Sequence, residues 1–341
     1  MNSVERIIKT LRREEVDKIP CFEWLIDEKV IEAIMPGADY AEFSDQMDLD
    51  AICIDLNYTK KEVKDGYFEN EWGIISKNTG EAHTFPVDGP IKTESDFKAY
   101  TPPSPKDPER YRTLESTLEK YGDKRSVILH LNDVWSIPSR LMSFDHFIMQ
   151  VIDNPGLVVD IVNMTVDINI EMAEQANKRG IQVVYTGDDY AYNSGPMISP
   201  KMFEDLFFEP LKRVVGAYKD MGLYVIKHTD GNIMPIIDMI LDAGFDCLDP
   251  IDPIAGMSLE HIKKTYGDKI AIKGNVDCAN TLALHSVEDT IEETKKCIEI
   301  AGPGGGYILS SSNSIHASVK PENFVAMLDT LKKYGSYPIN I

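Results

Sequence analysis

The sequence predicts an α/β protein of one domain, residues 1–341: a (β/α)8 TIM barrel with an N-terminal helix and a β-hairpin insertion, 60–98, after the second strand. Three observations carry this. Eight short runs rich in Val and Ile recur along the chain, as parallel strands buried on both faces require. Helix-like segments separate most of them. No glycine-rich phosphate turn follows an early strand, which argues against an open doubly wound sheet.

Met1 to Glu15 places Val4, Ile7, Ile8 and Leu11 among charged residues, the spacing of an amphipathic helix. The strand candidates are Ile19 to Trp24, Ala51 to Leu56, Ser126 to Leu131, Ile181 to Thr186, Leu223 to His228, the neighbourhood of Cys247 and Leu248, Ile270 to Lys273, and Tyr307 to Ser310. Helices are expected over 109–121, 157–179, 200–221, 233–243, 258–266, 287–301 and 321–334. Asn154-Pro155 and Ser199-Pro200 read as helix starts. Gly180, Gly222, Gly244, Gly267 and Gly302 follow helices, where glycine closes the last turn. In the insertion, 69–76 reads as a strand with a turn at Asn78-Thr79-Gly80.

With 35 basic against 56 acidic residues the net charge is −21. That field disfavours nucleic acid and anionic membranes. No apolar run approaches the roughly 20 residues that span a bilayer, and the N-terminus lacks the apolar core of a signal peptide. A cytoplasmic location is the expectation. The cysteines at 21, 53, 247, 278 and 297 are odd in number and form no C-x-x-C pair, so reduced thiols are expected.

The run Lys227-His228-Thr229-Asp230-Gly231-Asn232 opens a strand into a loop, where a barrel gathers its reactive side chains. Other polar residues stand at or just past strands: Glu23, Asp55, His130, Asp133, Asp188, Asp189, Asp249, Asp252, Asn275, Cys278, Ser312, Asn313 and His316. His228, Asp230 and Cys278 together offer zinc an imidazole, a carboxylate and a thiolate; the alternative is a His hydrogen-bonded to Asp in a metal-free cleft. Asp188 and Asp189 are adjacent and point in different directions, so one faces the cleft while the other caps a helix or turn. Trp24 and Tyr192 are among the aromatic residues placed to wall a ring-shaped pocket.

The stretches Gly187-Asp188-Asp189, Gly195-Pro196-Met197-Ile198-Ser199-Pro200, His228-Thr229-Asp230-Gly231-Asn232, Lys273-Gly274-Asn275-Val276-Asp277 and Gly304-Gly305-Gly306-Tyr307 resemble the uroporphyrinogen decarboxylase superfamily. That resemblance implies the (β/α)8 barrel. The decarboxylating branch holds a polyanion with arginines just after the first strand. Here Cys21-Phe22-Glu23-Trp24-Leu25-Ile26-Asp27-Glu28 has no arginine and three acids, which disfavours that chemistry. The other branch contains corrinoid-dependent methyltransferases. Those acting on thiols carry His-x-Cys and a later Cys; this chain has Asp230 in the first Cys position and Ser312-Asn313 where Gly-Cys is expected. The pattern looks like the enzymes that demethylate methoxylated aromatics in anaerobes. Glu94, Glu109 and His130 resemble a second zinc spacing associated with aryl-ether methyltransferases.

The expectation is therefore an O-demethylase methyltransferase that takes a methyl group from a small aromatic methyl ether and passes it to the cobalamin of a partner corrinoid protein. His228, Asp188, His130 and Asn275 are the catalytic candidates. Glu23, Trp24, Asp189, Tyr192, Asn313 and His316 are expected to bind substrate. Zinc is expected on His228, Asp230 and Cys278. A methyltransferase for a methylamine or methanol, and a non-catalytic barrel, are the alternatives.

Overall fold

The computed structural model describes residues 1–80 and 84–341. After β1 (Ala51–Ile54) come four strands of an inserted unit: β2 (Lys60–Lys64), β3 (Tyr67–Asn70), β4 (Ile75–Lys77) and β5 (Phe85–Asp88). The barrel resumes with β6 (Ser126–Leu131) and β7 (Val183–Gly187), followed by a two-residue hairpin, β8 (Ala191–Tyr192) and β9 (Gly195–Pro196). It continues through β10 (Tyr224–His228), β11 (Cys247–Asp249), β12 (Ala271–Val276) and β13 (Tyr307–Ser311). The sheet order is β1-β6-β7-β10-β11-β12-β13, and each pair is parallel.

The segment expected as the first strand, Ile19 to Trp24, lies between β13 and β1 and joins the two ends of that sheet. Leu309 N–H donates to the Pro20 carbonyl at 2.9 Å, and Asp50 N–H donates to the Cys21 carbonyl at 2.7 Å. Only one bridge, Cys21 to Leu309, is regular. Pro20 has no N–H to donate, and Cys21 N–H goes to the Asp50 side chain at 3.0 Å instead of to a strand carbonyl. Asp50 is in turn ion-paired with the buried Arg6 of the N-terminal helix, Ser3–Leu11.

Side chains alternate between the two faces of each strand. The inner set includes Phe22, Ala51, Cys53, Ile128, Val183, Tyr185, Ile226, Cys247, Ala271 and Ile308. Ile7 and Leu11 belong to the same cluster, so the N-terminal helix plugs the barrel floor. The outer set, with Ile52, Leu129, Val184, Val225 and Ile272, packs on the helices. Among the described residues no helix is long and apolar enough to cross a membrane.

The insertion is larger than the single hairpin the sequence suggests. β2 to β5 form a four-stranded antiparallel meander. The expected strand 69–76 is split by a turn into β3 and β4, and β2, which reads Lys-Lys-Glu-Val-Lys, is exposed throughout, so no apolar alternation marks it. Its last strand abuts the barrel through Gly89, where a Cβ would lie 2.1 Å from the Arg140 carbonyl. Ile91 N–H to the Leu141 carbonyl (2.9 Å) and Lys92 Nζ to the Met142 carbonyl (2.9 Å) complete that seam.

Candidate active site

Counting by twos up each strand from the inner apolar layer leads to the polar groups of the C-terminal mouth. From Ile226 the next inward residue is His228; from Cys247 it is Asp249; from Ala271 it is Lys273; from Ile128 it is His130. These four strand ends build one network. His228 Nδ1 lies 2.8 Å from Asp249 Oδ2, and Lys273 Nζ donates to Asp249 Oδ1 at 2.8 Å. The Tyr185 hydroxyl also donates to Asp249. Burial pushes the Asp249 carboxyl up, but Lys273 and His228 outweigh it and leave it ionised, at about 2. Lys273 and Tyr185 are absent from the polar residues expected above because they sit within strands rather than past them; Asp249 is named there but given no role in the site. The period-2 count is the signal that finds them.

With Nδ1 committed, His228 presents Nε2 to the cleft, 3.5 Å from Asp230 Oδ1 and 3.8 Å from Asp189 Oδ1. The ligand atoms of Asp189, His228 and Asp230 all lie within 4.8 Å of one another. Burial would lower the imidazole's pKa; Asp230, Asp249 and Asp189 reverse that and raise it to about 9. Asp230 is pushed up to about 7 by burial and by its acidic neighbours, against the pull of His228. Its Oδ2 accepts from Asn313 Nδ2, while its Oδ1 is buried without a hydrogen-bond partner.

Trp24 closes one side of this cluster. Its ring is 4.9 Å from His130, 5.5 Å from His228 and 5.6 Å from Tyr185. His130 Nδ1 lies 2.6 Å from Asp55 Oδ1, and its Nε2 is buried with no partner. Gly187 makes room for that ring: a Cβ there would sit 2.5 Å from His130 Nε2. Glu23 is buried beneath, its carboxylate accepting from Ser311 N–H and Oγ–H at 2.7 Å each. Burial raises Glu23 to about 7, against Lys273 and the Ser311 hydrogen bonds.

That shift has a measurable consequence. The folded chain keeps a proton on Glu23 that the unfolded chain, with an ordinary glutamate pKa near 4.3, has already lost. The wild type should therefore lose stability relative to Glu23→Gln as pH rises from roughly 4.3 to 7, and the gap should stay constant above that. Its full size is about 4 kcal/mol. Urea unfolding of both proteins across pH 4 to 8 checks this; a gap that does not change with pH contradicts it.

Several expected site residues have other duties. Asp188 accepts from the backbone N–H groups of Asp133 (3.0 Å), Trp135 (2.8 Å) and Ser136 (3.0 Å) and from Asn132 Nδ2 (2.9 Å). It anchors the start of helix Ser136–Met142 and leaves its neighbour Asp189 to face the cleft. Asn275 donates to the Ile251 carbonyl at 2.8 Å and accepts from Cys297, so both ends of its amide are used away from His228. Among the described residues Cys278 is outside the His228 cluster. The Asp277 side chain winds the turn that follows β12 by accepting from the backbone N–H groups of Ala279 and Asn280. The Cys278 thiol then faces Ser312 Oγ at 3.5 Å, and burial raises it to about 12, a thiol rather than a thiolate. His316 bonds the Cys278 carbonyl and Ser318 N–H with its two nitrogens. Tyr192 is exposed on the β8–β9 hairpin.

Glu94, Glu109 and His130 do not form a centre. Glu94 and Glu109 are exposed and pair with Lys98 and Arg112 respectively, while His130 holds Asp55. Both glutamates lie in first helical turns, where acids complement the helix dipole.

A sequence model described as uroporphyrinogen decarboxylase (URO-D) matches residues 78–334. This chain belongs to the uroporphyrinogen decarboxylase family. Curated uroporphyrinogen decarboxylases are distant from it. That of Pseudoalteromonas atlantica is 24% identical over 151 residues, 42% of this chain and 39% of the relative. That of Thioalkalivibrio sulfidiphilus is 23% identical over 182 residues, 50% of this chain and 46% of the relative. The match to the Mannheimia succiniciproducens enzyme is longer, 21% over 280 residues, 76% of this chain and 74% of the relative. The match thus spans less than half the length of the first two relatives. Among solved structures, a methyltransferase from Methanosarcina mazei shares the fold, with a TM-score of 0.79 and 18% identity over 98% of this chain and 99% of that one.

Proposed function

We propose that this member of the family is a methyltransferase that demethylates a methoxylated aromatic and hands the methyl group to the cob(I)alamin of a separate corrinoid protein. The observation that carries the reading is the cluster of His228 Nε2, Asp230 Oδ1 and Asp189 Oδ1 at the barrel mouth, with the Asp230 atom buried and without a hydrogen bond. An imidazole and two carboxylates suit a hard Lewis acid better than a site built to bind a thiolate would. His228 is also oriented from behind by Asp249, as a metal-binding imidazole usually is. A zinc ion fits there, held by Asp189, His228 and Asp230 in place of the expected Cys278 set. When bound, it supplies Lewis acidity toward an ether oxygen.

An aryl ether needs that help because phenolate, with a parent pKa near 10, is a reluctant leaving group. The chain's own groups do the rest. Lys273 and Tyr185 fix Asp249, and Asp249 fixes the His228 ring. Asn313 fixes Asp230 through the other carboxylate oxygen. Trp24 lays an aromatic wall against both His130 and His228. His130, steadied by Asp55 at Nδ1, presents its unpartnered Nε2 beside that wall.

Decarboxylation of a polycarboxylate is less well supported. The stretch after the first strand, residues 21–28, contains no arginine. Its acids serve the fold: Glu23 is bound by Ser311, and Asp27 caps helix Glu28–Ile34. The test is transfer from guaiacol or vanillate to free cob(I)alamin, followed by the change in corrinoid absorbance, with metal analysis of the same sample. Failure to transfer from any methoxyarene, methylamine or methanol would overturn the reading. Transfer from methylamine or methanol alone would move it to those donors.

A further inference from the structure

A cavity of about 510 Å³ opens between the inserted sheet and helix Ser136–Met142, and Asp189 of the cluster is part of its wall. Its volume suits a small aromatic ligand. Phe85, Val87 and Phe144 face it and are exposed, Phe85 to 64%, so these apolar side chains are only partly covered. Trp135 and Met197 add further apolar lining.

One cation lines this space: Arg140, in the last turn of helix Ser136–Met142. The guanidiniums of Arg6, Arg110, Arg112, Arg125, Arg179 and Arg213 each hold a carboxylate. Arg140, like Arg12 and Arg13 near the N-terminus, has no carboxylate partner among the described residues, on a chain of net charge −21 where acids are abundant. Two of the three acids around the cavity are engaged: Asp88 is paired with Lys92 at 2.7 Å, and Asp189 accepts from Asp230 N–H at 3.0 Å. Asp145 stands in the first turn of helix Phe144–Asp153, where a carboxylate complements the helix dipole. The wall carrying Arg140 is fixed by the Gly89 contact, so its position relative to the sheet is set before any ligand arrives.

We propose that this cavity is an aromatic-carboxylate site in which Arg140 takes the carboxylate, the ring lies against the apolar wall, and the far end of the ring points to Asp189. Resting on the function proposed above, the methyl donor is then a methoxybenzoate, not a neutral methoxybenzene. Planar guanidinium–carboxylate pairing supplies the orientation. An inorganic phosphate would gain nothing from the apolar wall.

Calorimetric titration with benzoate, 4-methoxybenzoate, 4-methoxybenzamide and inorganic phosphate tests the site without any methyl transfer. Both carboxylates are expected to bind at least tenfold more tightly than the amide. Arg140→Ala should remove that advantage and leave the amide unchanged, while Arg140→Lys should restore part of it. Phe144→Ser should weaken carboxylates and amide alike. Equal affinity for acid and amide, unchanged benzoate binding in Arg140→Ala, phosphate binding as tightly as benzoate, or no binding of any of these ligands would each overturn the proposal. Arg140-dependent benzoate binding without any methyl transfer would keep this site and reject the methyltransferase reading. Transfer from neutral methoxyarenes without Arg140-dependent binding would do the reverse.

Discussion

His228→Ala is expected to lose about a thousandfold or more in methyl transfer, and with it one equivalent of bound metal per chain. The imidazole is the only nitrogen donor of the cluster, and its Nε2 faces both carboxylates. Removing it leaves Asp189 and Asp230 close together without the imidazole between them, while Asp249 keeps Lys273. Because the lost interaction belongs to bond breaking, kcat should fall while KM for the methyl donor changes little. Asp249→Asn separates orientation from ligation. It leaves the ligand atoms in place but weakens the hold on Nδ1, and a loss of roughly 10- to 100-fold in metal affinity is expected. Steady-state kinetics with metal analysis of wild type, His228→Ala and Asp249→Asn checks all of this. Full activity in His228→Ala, or metal content unchanged by it, would reject the assignment of the site.

The parts of this site that can be read from sequence are those that follow strand periodicity. The barrel is legible because seven of its strands are apolar runs with helices between them. The eighth is legible as an apolar run but not as a regular strand, since the sequence does not tell that the Asp50 side chain takes the Cys21 N–H. His228 and Asp230 are legible as a strand end. The division of labour between Asp188 and Asp189 is half legible: inward Val183 and Tyr185 count on to Gly187 and Asp189, which leaves Asp188 on the outer face. What the count cannot supply is a partner on another strand. That Asp188 would meet three backbone N–H groups at the start of helix Ser136–Met142, or that Cys278 would turn toward Ser312, depends on loops whose paths have no periodicity. The same holds for the cavity at Arg140, whose two walls, β5 and helix Ser136–Met142, come from parts of the chain that no periodicity relates.

Lys227→Met is expected to cost about 3–5 kcal/mol of stability, the range for breaking a buried ion pair. Lys227 counts to the outer face of β10, next to outward-facing Val225, and lies between barrel and helices with no exposure. Its ammonium donates to Asp133 Oδ2 at 2.7 Å and to the Asp188 carbonyl at 2.8 Å, and it stands 3.7 Å from the centre of the Tyr190 ring. Burial works against both carboxylates; Lys227 and the backbone donors nevertheless hold Asp188 well below the usual range, whereas burial and the charge on Asp188 push Asp133 up to about 7. Methionine fills similar volume, so the loss should come from uncompensated charge and not from a cavity. The double variant Lys227→Met with Asp133→Asn removes one of those charges and should recover a substantial part of the loss, because Asp188 keeps its backbone donors. Urea unfolding should show a lower midpoint with an unchanged slope for the single variant. A single variant within about 1 kcal/mol of wild type, the range of an exposed pair, would mean that the lysine is not holding these two loops. It would also remove the reason to expect Asp189 and Trp135, which flank them, to be fixed in place before a substrate binds.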